Sequence, residues 1–141
     1  MLADFLILLA LIALNGLLAM SELAIVSARP ARLRAQAARG VPGAEAALRL
    51  AETPGRFLST VQIGITLVGV VAGAVSGATL GSRLAERLDG IGLSPAVAEH
   101  LGVTLVVLAI TYLSLVAGEL VPKQIALAAP ERIATRVAPA M

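Results

Sequence analysis

The sequence predicts an all-α integral membrane domain, and three observations support this fold class. Of the 141 residues, 58% are hydrophobic and only 14% are charged, and the mean hydropathy is +0.92. A soluble domain carries roughly a quarter charged residues, because its surface must interact with water. Stretches with almost no charge lie within residues 3–27, 56–80 and 99–121. Each is long enough to cross a bilayer as a helix, so we predict three transmembrane helices.

The first of these stretches is predicted to be a retained span. A cleaved signal peptide begins with positive charge, whereas the residues before this stretch include Asp4 and no lysine or arginine. Its apolar run is also longer than the core of a signal peptide. We therefore count it as the first transmembrane helix.

The distribution of arginines predicts the orientation in the membrane. Six arginines lie between the first and second apolar stretches, and only Arg83 and Arg87 lie between the second and third. Because basic residues accumulate on the cytoplasmic side, the N-terminus is predicted outside and the C-terminus in the cytoplasm of a multi-pass inner-membrane protein. The net charge of +2 requires no nucleic acid partner, since these arginines would meet membrane lipid headgroups.

Two segments outside the spans are predicted to lie along the membrane surface. The alanine-rich segment 29–53, interrupted at residues 40–43, predicts a cytoplasmic hairpin of two short amphipathic helices. A flexible linker is the alternative. Residues 122–141 are predicted to form an interfacial tail, in which Pro122 ends or kinks the third span and Pro130 interrupts a second helix. The tail has no polar closure, so we expect further cytoplasmic sequence in a longer protein.

Glycines recur every fourth residue along the second span, so they form a stripe on one helix face. Small residues let helix backbones approach closely within lipid, and the stripe therefore predicts an interface, either to the other spans or to a second protomer. Close packing is the main interpretation, and backbone carbonyls that act as oxygen ligands are the alternative. The glycines are Gly69, Gly73, Gly77 and Gly81.

Polar side chains in the three spans are predicted to lie at a common depth. In the predicted topology, Ser21, Gln62, Thr66 and Glu119 all fall about 6–15 Å from the cytoplasmic ends of their helices. Polar groups are costly inside a membrane and mark functional sites. The cluster offers oxygen atoms without histidine or cysteine, and such ligands suit hard cations such as Mg²⁺ or Na⁺.

The segment around Glu119 carries a second, structural interpretation. Pro122 lacks an N–H group, so the carbonyl of Gly118 is expected to be free and to face a cavity. However, Glu119 and Lys123 are four residues apart on one helix face and could form an ion pair with no further role. Both interpretations stay open at this stage.

Other polar residues in the spans have structural explanations of similar weight. Asn15 and Glu22 share a helix face, and their structural interpretation is a connection between helices. The structural interpretation of each hydroxyl is a hydrogen bond to its own helix. His100 receives no role. No nucleophile–base pair or phosphate-binding loop is present, so catalysis is not expected.

Three motifs occur in order along the predicted spans: NGLLAMSELAIVS (residues 15–27), RFLSTVQIGITLVG (residues 56–69) and YLSLVAGELVPK (residues 112–123). Together they resemble the transmembrane domain of the CorC/CNNM family of Mg²⁺ transporters. The resemblance implies three spans with a juxtamembrane helical belt, assembly as a homodimer, and Mg²⁺ export coupled to Na⁺ entry. It also implies cytoplasmic CBS domains that bind ATP–Mg²⁺ in the full-length protein.

The resemblance further implies a set of metal ligands. Ser21 and Glu119 match residues that line the intramembrane Mg²⁺ site, and Gly118 would contribute its carbonyl. The second span departs from the family pattern, because Ile65 and Gly69 stand where many members have asparagine. The remaining ligands are therefore expected among three second-span residues, Gln62, Thr66 and Gly69.

The leading hypothesis is thus a dimeric Mg²⁺ transporter domain. The alternative is a membrane anchor and dimerisation scaffold for cytoplasmic regulatory domains, without transport of its own. That alternative explains the glycine stripe and the arginines, but it leaves the depth-matched polar groups without a purpose. A pore-forming toxin fits poorly, because such proteins are usually delivered in a soluble form.

Overall fold

A computed structural model describes residues 2–141, and it is helical over nearly all of this range, without strands. The elements, in chain order, are α1 (Leu2–Ser27), α2 (Pro30–Ala38), α3 (Ala44–Glu52), α4 (Gly55–Ser76), a π-helical turn (Gly77–Gly81), α5 (Ser82–Asp89), α6 (Pro95–Leu115), a second π-helical turn (Val116–Leu120), α7 (Val121–Ala128), α8 (Pro130–Val137) and a 3₁₀ turn (Ala138–Ala140).

Three helices are long and apolar enough to cross a membrane, which confirms the predicted number of spans. They are α1, the continuous helix Gly55–Asp89 formed by α4 and α5, and the continuous helix Pro95–Ala128 formed by α6 and α7. The second and third helices extend beyond the span ends predicted at residues 80 and 121. We refer to them as the second and third membrane helices.

Pro122 was predicted to end or kink the third span, and the helix does not end there. The third membrane helix continues through Pro122 to Ala128. The reason is the π-helical turn that precedes the proline, in which the N–H of Val121 donates to the carbonyl of Val116, five residues earlier. Pro122 then occupies the first turn of α7, where its missing N–H costs little.

The outer surface of the three membrane helices is apolar and largely uncovered. Only 11% of the apolar 18-residue stretch in the third membrane helix is buried against other parts of the protein, and Leu108 exposes 62% of its surface. Such a surface would be unfavourable in water, and it suits contact with lipid chains. This identifies a multi-pass membrane domain.

The main buried cluster lies where the short helices meet one end of the membrane helices. There α2, α3 and α8 pack around the end of α1 and the start of α4, with the fully buried Leu33 and Ile25 in the cluster. Glu131 of α8 is buried at this end. Its carboxylate accepts a hydrogen bond from the backbone N–H of Arg29 and lies 3.7 Å from the Arg32 guanidinium. The amphipathic surface location and the orientation predicted for these segments stay predictions.

The structure divides the glycine stripe into two halves. A Cβ atom added to Gly77 or Gly81 would meet valine side chains of α6, at 3.2 Å and 3.1 Å respectively, so these two glycines let the second and third membrane helices pack closely. A Cβ added to Gly69 or Gly73 would meet nothing within 4 Å. The half of the stripe at Gly77 and Gly81 thus packs on the third membrane helix, and an interface of the other half with a second protomer stays a prediction.

Candidate cation site

Two carboxylates from different membrane helices converge on one lysine. The ammonium of Lys123, at the start of α7, donates a hydrogen bond of 2.9 Å to Glu119 on the π-helical turn. The same ammonium lies 3.5 Å from the carboxylate of Glu22 in α1. The Glu22 side chain is 19% exposed and that of Glu119 is 32% exposed, so both acids are partly withdrawn from solvent. This arrangement holds a positive charge between two helices.

The π-helical turn is attached to α1 by a buried hydrogen bond. The Asn15 amide donates to the Gly118 carbonyl at 2.9 Å. In a regular α-helix this carbonyl would accept from the N–H of residue 122, which proline lacks. The carbonyl is therefore free of its helical partner, as predicted, but it faces Asn15 and not an open cavity. The Pro122 ring packs against α1 at Gly16, where an added Cβ would lie 3.0 Å from the ring.

We expect Asn15→Leu to destabilise the protein by about 1 kcal/mol, because the Gly118 carbonyl would lose its partner inside the membrane. The measurement is thermal unfolding in detergent, followed by circular dichroism. Ser114→Ala is the matched control, since the Ser114 hydroxyl is buried and makes no hydrogen bond. Equal stability of the two variants would show that the hydrogen bond from Asn15 contributes nothing.

The other predicted ligands lie in two different environments, one buried and one exposed. Ser21 is fully buried in α1, and its hydroxyl donates to the Leu17 carbonyl of the same helix. Gln62 and Thr66 lie on an exposed face of α4, where the Thr66 hydroxyl donates to the Gln62 carbonyl at 2.9 Å. Gly69 is also exposed. The predicted convergence of second-span side chains on Glu119 is thus not among the contacts within this chain.

Two residues of the site were absent from the predicted ligand set. From the sequence alone, Asn15 and Glu22 are polar groups that share a face of α1, with a structural interpretation as a connection between helices. The shared face could have indicated a common partner, because both side chains contact the third membrane helix. The spacing of seven residues could not show which partner each one meets.

The site is rich in oxygen but holds few carboxylates. Within residues 2–141, no group of three or more acidic, histidine or cysteine side chains lies close enough to hold a metal ion. The two carboxylates that meet here are Glu22 and Glu119, and carbonyl and amide oxygens lie on the same helices. This composition fits Mg²⁺, which commonly keeps several waters and uses one or two carboxylates.

Three apolar helices, two of which are joined by the ion pairs of Lys123, define a multi-pass membrane domain. A family model described as the cyclin M transmembrane N-terminal domain matches residues 6–141. The chain therefore belongs to the cyclin M, or CorC/CNNM, family, as the sequence motifs predicted.

Several curated proteins are similar to this chain. A UPF0053 protein of Synechocystis sp. is 56% identical over 131 residues, which cover 93% of this chain and 29% of that protein. A polyamine export protein of Escherichia coli is 36% identical over 73 residues, covering 52% of this chain and 16% of that protein. A polyamine export protein of Haemophilus influenzae is 29% identical over 132 residues, covering 91% and 29%. The chain thus spans less than a third of each of these relatives.

Proposed function

We propose that this domain transports a small cation across the membrane, and that the cation is Mg²⁺. The observation that carries the proposal is the single ammonium held between Glu22 and Glu119, at 3.5 Å and 2.9 Å, on two different membrane helices. Ionisable groups inside membrane helices are costly and mark ion pathways. Two carboxylates that neutralise the charge of a lysine can also neutralise that of a cargo cation.

The wider proposal follows the family resemblance. Export of Mg²⁺ would be coupled to Na⁺ entry, in the inner membrane, with CBS domains of the full-length protein as regulatory partners. A homodimer is supported by one face of α4, on which Gln62, Thr66 and Gly69 are exposed. An added Cβ at Gly69 or Gly73 on this face would meet nothing within 4 Å. A second copy on that face would bring small residues together.

A second candidate cargo is a polyamine. The group that now lies between the two carboxylates is itself a primary alkylammonium, which is the chemical group at each end of a protonated polyamine. Two relatives carry the name polyamine export protein. In this alternative the cargo's terminal ammonium would take the position of the Lys123 ammonium.

Flux measurements on the purified protein in liposomes test both candidates. A Mg²⁺-sensitive dye inside the vesicles reports Mg²⁺ movement, and a radiolabelled linear diamine reports polyamine movement. We expect Mg²⁺ flux well above that of protein-free vesicles, with a rate that changes when a Na⁺ gradient is imposed. Diamine flux without Mg²⁺ flux would select the second candidate. The absence of both would favour the membrane anchor and scaffold function.

A further inference from the structure

The ion pairs of Lys123 are unequal, and the inequality suggests a movement. Its ammonium makes a hydrogen bond to Glu119 at 2.9 Å but only a longer contact of 3.5 Å to Oε2 of Glu22. That Oε2 atom is buried and accepts no hydrogen bond. A buried carboxylate oxygen without a hydrogen bond is energetically unfavourable, so it would gain from a closer ammonium.

The distance between the two positions is small. A displacement of the ammonium by under about 1 Å would bring it within the 2.7–2.9 Å range of a charge-assisted hydrogen bond to Glu22. Lysine has a flexible four-carbon stem that permits such a shift without backbone movement. That shift would lengthen the contact to Glu119 beyond a hydrogen bond, and further rotation of the flexible stem would carry the ammonium away from that carboxylate.

A cation that binds Glu119 must compete with the lysine already there. If Lys123 stayed in place, its positive charge would repel the arriving cation at close range, and in a partly buried site this repulsion is poorly screened. If instead it moved to Glu22, the lysine would remain paired and its charge would be neutralised. Glu22 therefore offers the second position that binding at Glu119 requires.

We infer that Lys123 is a movable countercharge, whose ammonium neutralises Glu119 when the site is free of cargo and moves to Glu22 when a cation binds Glu119. This inference rests on the proposed function and adds a regulatory role to it. In it, Glu22 is a positioning residue that does not contact the cargo. It acts through Lys123.

The inference predicts that substitutions at Glu22 and at Lys123 change the affinity for Mg²⁺ in opposite directions. Glu22→Gln removes the second position of the ammonium, so Lys123 remains on Glu119 and the apparent affinity for Mg²⁺ should fall about tenfold, a typical coupling between sites. Lys123→Met removes the competitor and should raise the affinity. In the double variant there is no ammonium to move, so its affinity should return to within about threefold of that of Lys123→Met.

Isothermal titration of Mg²⁺ into the purified full chain, for the wild type and these three variants, tests the inference. Glu99→Gln is the matched control, because Glu99 is exposed near the opposite end of the third membrane helix. Rescue by the double variant supports the countercharge, since neither a direct ligand nor a purely structural Glu22 would be rescued by removing Lys123. Thermal unfolding of every variant confirms that the protein is folded.

Other outcomes overturn the inference in distinguishable ways. A double variant as weak as Glu22→Gln would make Glu22 a ligand and reject the movement, while leaving cation transport intact. Weaker binding by Lys123→Met alone would reject it as well, even if Glu22→Gln did not fold. No binding by the wild type or any variant would reject the proposed Mg²⁺ function together with the countercharge.

Discussion

Glu119→Gln is expected to reduce Mg²⁺ flux in liposomes to the level of protein-free vesicles. Glutamine keeps the size of the side chain but removes the negative charge that a cation requires in a low-dielectric site. The fold should persist, because Lys123 retains Glu22 as a charge partner 3.5 Å away. The protein would therefore remain a membrane-inserted helical domain that cannot bind its cargo.

The measurement compares this variant with the wild type and with Glu99→Gln, reconstituted at equal protein density. Glu99→Gln removes the same charge from the same membrane helix, at an exposed position in the first turns of α6. It should transport at the wild-type rate. Wild-type flux in Glu119→Gln would reduce the pair of Glu119 and Lys123 to a structural ion pair, which was the competing interpretation of their spacing.

Gly102→Ala is expected to destabilise the protein by about 1–3 kcal/mol, the usual cost of inserting atoms into a packed interface. A Cβ at this position would lie 2.6 Å from the backbone nitrogen of Ala85 and 2.8 Å from the Gly81 carbonyl oxygen. Both are backbone atoms, so relief requires that the second and third membrane helices move apart. Their packing depends on close backbone approach, since lipid supplies little hydrophobic drive for association.

The matched control for Gly102→Ala is Gly69→Ala in the second membrane helix. An added Cβ at Gly69 meets nothing within 4 Å, so only the helix propensity changes, which favours alanine by up to about 1 kcal/mol. Thermal unfolding in detergent should show a lower midpoint for the first variant and an unchanged or higher one for the second. If Gly69→Ala lowered the stability in a lipid bilayer, but not in a detergent that keeps the protein monomeric, a second copy would be packed on that face.

The backbone of the third membrane helix is irregular beside Glu119. The π-helical turn, the missing proline N–H and the hydrogen bond from Asn15 all occur next to Glu119. Irregular backbone inside a membrane is tolerated where protein groups satisfy it, and Asn15 does so here. The carboxylate is therefore attached to a segment with fewer regular helical bonds than the rest of the third membrane helix.

The sequence alone predicted the number of spans and the family, and it predicted the ion pair of Glu119 with Lys123 as one interpretation of their spacing. These features depend on hydropathy and on residue types. In lipid the backbone must make its hydrogen bonds within helices, and a buried charge is costly unless it is paired or has a function. The same reasoning placed Gly118 and Pro122 at an irregular point in the third span. It did not require knowledge of how the helices are rotated against one another.

Only the tertiary structure decided which polar groups meet. A depth along the membrane can be counted from the sequence at a fixed rise per residue, but the direction of a side chain depends on helix rotation and on the π-helical turn. One extra residue in such a turn rotates everything after it by about 100° relative to a regular helix. The pair of Glu119 and Lys123 follows from their spacing in the sequence, but only the packing of the helices brings Glu22 to it. Gln62 and Thr66, predicted at the same depth, lie instead on an exposed face of α4.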